Sequence, residues 1–398
     1  MKKIYLDHIA ATPLLPAARE AMLPFLTEHF GNPQSRHAEG EIPRRGIEEA
    51  RKRVAELIGA EAREIVFTAS GSEANNLAIK GILAARPKKK THIITSVIEH
   101  FSVAHPLKHL EREGVAVTWL PVDQKGRVRP EQVAAALRNE TVLVSIMHAN
   151  NEIGTVQPIQ EIASITQAAG VLLHTDAVAT VGMIPFRVDS LGIDLASFSA
   201  QPFYGPKGAG ALYIRRGTRV HPLIEGGIQE GGRRSGTENV AAIVGMGAAA
   251  LEARKRLPSD APRLAALRDR LIVGLTERVP LIHPTGDPIH RLPHIASFAV
   301  EFVDGEALIR LLEKKGIFAA SGSSCSAEAL KISPVLTATG FPANVAQGGI
   351  VFSLGMGTTE EEIKTVLSIF PRCVEEIRKV SPIYTNLSPQ VQQGGTLG

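Results

Sequence analysis

Five polar clusters in this chain carry side chains suited to holding an anion, moving a proton or passing on sulfur. Thr68-Ala69-Ser70-Gly71-Ser72-Glu73 falls between a strand-like run and a helical one. There the free N–H groups of a helix start, near Gly71 and the Ser72 hydroxyl, form a phosphate cup, or the stretch is an ordinary N-cap. Asp176 follows His174 at the end of an apolar run, where a carboxylate pairs with a buried cation or caps a loop. His100, after Glu99, is either a satisfied loop histidine or an imidazole placed to stack on a flat ring or act as an acid. Cys325 sits in Ala320-Ser321-Gly322-Ser323-Ser324-Cys325-Ser326, a small polar stretch that predicts an exposed loop and a thiol open to reaction or ligation. Gly226 to Thr237 is a glycine-rich loop with Arg233, Arg234 and Ser235, suited to close approach to a phosphate or another chain.

These clusters need a scaffold that gathers them. Apolar runs predict strands over Glu64–Thr68, His92–Ser96, Ala116–Val122, Thr141–His148, Val171–Asp176, Asp194–Ser199 and Gly210–Ile214. Helical patterns such as Glu73–Leu83 and Ile159–Ala169 fill the gaps. Buried strands alternating with helices make an α/β fold with a largely parallel, seven-stranded sheet covered on both faces. Ligands in such sheets sit beyond the carboxyl ends of the strands, where Asn150-Asn151-Glu152, Asp176 and Ser199 fall. From about Arg263 the pattern becomes a long helix, a strand over Ile295–Phe302 and helices from Glu306 and Glu360, a smaller α+β domain. The expected division is 13–260 for the large domain, 1–12 with 261–384 for the small one, and 385–398 as a loose polar tail.

Composition narrows the classes. A net charge of +4, with Lys88-Lys89-Lys90 as the longest basic run, argues against nucleic-acid binding. Two cysteines, Cys325 and Cys373, are too few for a disulfide framework, and Cys373 in a helical stretch reads as packing. No apolar run reaches membrane-spanning length and no signal peptide is visible, so the expected place is the cytoplasm, away from membranes.

Taken together the motifs resemble the cysteine desulfurases of the NifS and IscS kind, in the class V aminotransferases. The resemblance covers nearly the whole chain, from Tyr5-Leu6-Asp7 and Gly31-Asn32-Pro33 through Glu99-His100, His174-Thr175-Asp176-Ala177, Gly205-Pro206-Lys207-Gly208 and Arg234-Ser235-Gly236-Thr237 to Phe352-Ser353-Leu354-Gly355. It implies the pyridoxal-phosphate (PLP) fold type I and a homodimer. In it His100 stacks on the cofactor ring, Asp176 meets the pyridine nitrogen and Asn151 reaches the phenolic oxygen. Gly71, Ser72 and Ser199 hold the phosphate, with Thr237 arriving from the other subunit. Cys325 is the implied nucleophile and persulfide carrier.

The same resemblance exposes departures. The family's histidine and Schiff-base lysine stand here as Gln201 and Pro202, its phenol-binding glutamine as Ala179 and its carboxylate-clamping arginine as Val351. In the glycine loop, Ile228 replaces a glycine and Gly231 an arginine. Loss of a catalytic base costs about 10²–10⁴ in rate. Loss of a charge-assisted clamp costs roughly 1.5–3 kcal/mol more. The expectation is therefore a desulfurase-like protein of sulfur transfer or iron–sulfur cluster assembly without efficient PLP-dependent desulfuration. Cys325 would carry a persulfide or ligate a cluster shared with a scaffold or sulfur-acceptor partner. The alternatives are an enzyme that holds PLP non-covalently, with Gln201 on the phosphate, and a non-catalytic partner of an active paralogue.

Overall fold

The computed structural model describes residues 3–86, 91–321 and 332–385. Cys325, the Lys88-Lys89-Lys90 run and nearly all of the expected tail lie outside them.

Twelve strands form: β1 (Ile4–Tyr5), β2 (Ile65–Thr68), β3 (His92–Ser96), β4 (Ala116–Leu120), β5 (Thr141–Ser145), β6 (Leu172–Asp176), β7 (Leu195–Ser199), β8 (Gly210–Ile214), β9 (Ile282–Pro284), β10 (Ile295–Val300), β11 (Ile317–Phe318) and β12 (Gly349–Ser353). Seven of them make one sheet in the order β2-β8-β7-β6-β5-β3-β4. Every pairing is parallel except those of β8, which runs antiparallel to both neighbours. This is the seven-stranded, mostly parallel sheet read from the sequence; five strands end where expected, while β4 stops at Leu120, not Val122, and β5 at Ser145, not His148.

Period-two alternation explains the burial. Leu143 and Leu195 point into the cluster under the helix Gly71–Ala84, while Val144 and Ala196 point to the opposite cluster. Interior strands are buried on both faces, whereas the edge strand β4 is only part-buried.

A second, antiparallel sheet has the order β12-β10-β9, and β1 pairs in parallel with β11. Isolated bridges Asp7↔Ser353 and Ala320↔Val351 stitch these two together. Phe298, Phe352 and Phe370 pack edge-to-face at its centre, with Cys373 buried among apolar neighbours there.

The long C-terminal helix differs from expectation. It begins at Val240, not near Arg263, and runs to Arg278 through Pro258 and Pro262. Each of those prolines removes a hydrogen bond from the helix ladder. Packing at both ends overrides them: Ala242 to Ala253 lie in the first core, Leu264, Leu271 and Leu275 in the second.

This helix crosses the helix Ala38–Ile58 closely, and a Cβ on Gly247 would fall 2.5 Å from the Ala50 Cα. Gly247→Val is expected to lose about 1–3 kcal/mol through overpacking, measured as a lower midpoint in chemical denaturation.

Candidate functional site

The carboxyl ends of β2, β3, β5, β6 and β7 surround one cavity of about 380 Å³, closed on the far side by Val351 of β12 and by Asp7 and Ala320, which bridge to that strand. Gly71, Ser72, His100, Asn151, Asp176, Ser199 and Gln201, all expected at the site, line it. Thr237 does not; it is exposed on the glycine-rich loop.

The helix Gly71–Ala84 starts at the cavity. Ser70 caps it by accepting the Glu73 N–H, and Glu73 turns back to accept the Ala69 N–H at 2.7 Å. The N-cap reading of this turn is what forms, and the capped helix start presents Gly71 and Ser72 to the cavity. Arg234 Nε donates to Glu73 at 3.0 Å and ties the glycine-rich loop to the same turn.

Asp176, at the end of β6, is only 5% exposed. One carboxylate oxygen accepts the Val178 N–H at 3.0 Å, the other accepts Asn75 Nδ2 at 2.7 Å. Burial raises its pKa, while the nearby His100 and these two donors pull it down. Asn75 also donates to the Ser102 hydroxyl at 2.8 Å, which stands 2.7 Å from His100 Nδ1. The Ser102 N–H donates to the same Nδ1, so that nitrogen accepts and the neutral ring carries its proton on Nε2. Asp176 and His100, seventy-odd residues apart, are thus joined through Asn75 and Ser102.

The Asn150-Asn151-Glu152 motif divides its labour. Asn150 builds the turn, accepting the N–H groups of Glu152 and Ile153 and donating to the Ile98 carbonyl. Asn151 and Glu152 face the cavity. Glu99 is a staple: it accepts the Ser96 hydroxyl at 2.6 Å and the Met147 N–H, joining the loops after β3 and β5. Burial pushes both carboxyls, Glu99 and Glu152, up to about 8.

Ser199, at the end of β7, donates to the Ala209 carbonyl. Beyond it a single 3₁₀ turn, Gln201–Phe203, presents Gln201 to the cavity, with its Nε2 buried and without a partner. Pro202 is buried and does not line the cavity, and Lys207 is exposed. Among the described residues that line the cavity there is no lysine and no arginine, against four carboxyl groups, Asp7, Glu99, Glu152 and Asp176. No cluster of three or more metal-ligating side chains occurs among the described residues.

Sequence reading missed Asn75, Ser102 and the staple made by Glu99. Only the spacing of Asn75, four residues after Gly71 and so on the same helix face, hinted at it.

Comparison with known proteins agrees with the geometry. Residues 4–366 match the family of class-V aminotransferases. The cysteine desulfurase IscS of Dictyoglomus turgidum is 48% identical over 381 residues, 96% of this chain and 97% of that protein. The cysteine desulfurase NifS of Azotobacter vinelandii is 44% identical over 395 residues, 99% and 98% of the two chains. A solved NifS-like protein superposes with a TM-score of 0.88 at 37% identity, covering 94% of this chain and 100% of its own.

Two outcomes follow from the hydrogen bonds above. Asn75→Leu strands a buried carboxylate and is expected to cost about 1–3 kcal/mol in chemical denaturation. Both Asn75→Leu and Ser102→Ala should also move the ring ¹⁵N shifts of His100, with Ser102→Ala leaving the denaturation midpoint nearly unchanged. Glu99, whose pKa rises from its usual 4.5 to about 8, holds a proton in the folded chain that the unfolded chain has lost. Its contribution is full below about 4.5 and drains away as pH rises towards about 8. Glu99→Gln should flatten that fall, by at most about 1.4 kcal/mol per pH unit, in unfolding curves taken across this range.

Proposed function

The chain belongs to the class V aminotransferases, in the cysteine desulfurase branch of IscS and NifS, and we propose that it serves sulfur transfer in iron–sulfur cluster assembly without efficiently desulfurating free cysteine. The observation that carries this reading is the cavity wall itself: Pro202 stands behind it, Val351 lines it, and no described lining residue offers an amine or guanidinium.

The remaining residues still fit PLP held without a covalent bond, the second reading. Asp176 is a buried carboxylate suited to a pyridine nitrogen, and His100 stands beside it with a fixed tautomer. The unpartnered Gln201 Nε2 and the helix start at Gly71 and Ser72 suit a phosphate. When bound, the cofactor supplies an electron-accepting ring. Around it Asp176 would orient the ring, His100 would hold a proton at Nε2, and Asn151 would meet the polar edge. In a homodimer the exposed Thr237 of a second copy would complete the phosphate end.

Cys325 is the proposed sulfur carrier or cluster ligand. What supports it is the small polar stretch that carries Cys325 in the sequence, and that Ser321 and Pro334, the described residues on either side of that stretch, both line the cavity. A scaffold or sulfur-acceptor protein would receive the sulfur.

The test uses the full chain with PLP, cysteine and a reductant. Sulfide release should stay within about a hundredfold of free PLP. Borohydride should fix the cofactor on Pro202→Lys but not on the native chain. A persulfide donor should leave one extra sulfur, lost in Cys325→Ser. Rapid sulfide release by the native chain would overturn the proposal.

A further inference from the structure

We infer that the side of the cavity formed by Asp7, Glu152 and Val351 binds its ligand through a primary ammonium group, with no place for a carboxylate. The inference goes beyond the sulfur-transfer reading and does not depend on it.

Of the four carboxyl groups among the described residues that line the cavity, two are satisfied. Both oxygens of Asp176 and both of Glu99 accept hydrogen bonds. The other two are not: Asp7 Oδ1 and Glu152 Oε1 are sealed from solvent and have no partner. Glu152 is 6% exposed, and the Ser333 hydroxyl engages its carboxyl group. A buried acceptor without a donor costs free energy that a ligand's N–H can recover.

Asp7 bridges Ser353 of β12, and Ser353 is the register partner of Ile295. Gly154, two residues after Glu152, lies against Ile295, where a Cβ on the glycine would stand 3.3 Å from the Ile295 Cβ. The turn that carries Glu152 therefore packs on the part of the second sheet that holds Asp7. Val351, two positions from Ser353, lines the same side with an apolar surface.

His100 is the sole basic group among the described lining residues, and its Nδ1 is engaged by Ser102. A ligand carboxylate on this side would meet two carboxyls and a valine. An ammonium brings three donors and no acceptor, the complement of what the wall presents. Burial holds Asp7 at about 6 and Glu152 at about 8, so near neutral pH the incoming cation displaces a proton from Glu152. The other titratable groups facing the cavity are Glu99, His100 and Asp176.

Calorimetric titration of the full chain without cofactor decides the matter, using cysteamine and 3-mercaptopropionate, two thiols that differ in their charged head. Cysteamine is expected to bind about ten- to a hundredfold more tightly. Below about pH 8 its binding should release a proton, read as a heat that varies with the buffer's ionisation enthalpy. Glu152→Gln should abolish that proton release and weaken the preference. Asp7→Asn, on a different element, should weaken the preference with Glu152 intact, so one informative variant remains if the other fails to fold. Equal or tighter binding of 3-mercaptopropionate, no binding of either thiol, or a preference untouched by both substitutions overturns the inference. Rapid sulfide release from cysteine would sink the sulfur-transfer reading while leaving this preference intact.

Discussion

A carboxylate buried at the end of a central strand is the constraint around which the site is organised. Asp176 has left water, and an unpaired charge in that position would be costly. The chain meets the cost with Asn75 from one helix and the Val178 N–H from the following loop. Because Asn75 also holds Ser102, and Ser102 holds His100, the starts of two helices are registered against the end of β6. Moving any one of these elements would break the satisfaction of the others, which is why so much of the cavity wall is set by a single acid.

The sequence disclosed the scaffold because burial on both faces writes itself as continuous apolar runs. All seven strands of the main sheet were visible that way, as were Gly71, Ser72 and Asp176 at strand ends, since turn chemistry and polar residues after apolar runs are local signals. What stayed hidden depends on partners far along the chain. Nothing near Asn75 announces Asp176, and nothing near Glu99 announces the Met147 N–H. The helix start at Val240 was missed for the same reason: the two cores that hold the helix together across Pro258 and Pro262 are not local. Thr237, expected to serve the site of a second subunit, is exposed and apart from the cavity of its own chain.

The cavity's charge balance follows from two substitutions that each look modest in the sequence. A proline and a valine cannot carry positive charge, and they leave a wall whose acids outnumber its bases. Glu99 and Glu152, pushed up to about 8 by burial, keep their protons near neutral pH, while Asp7, raised only to about 6, has largely lost its own. The wall therefore keeps an acidic side, and two further protons can leave it when a cation enters.

The helix Val240–Arg278 has a consequence for how the molecule comes apart. Its first half is core to one sheet and its second half is core to the other. Neither sheet can shed its share of that helix without removing the support of its neighbour. Pro258 and Pro262 leave backbone carbonyls without their usual donors near the handover. Loosening either half of the helix therefore removes packing from both walls of the cavity.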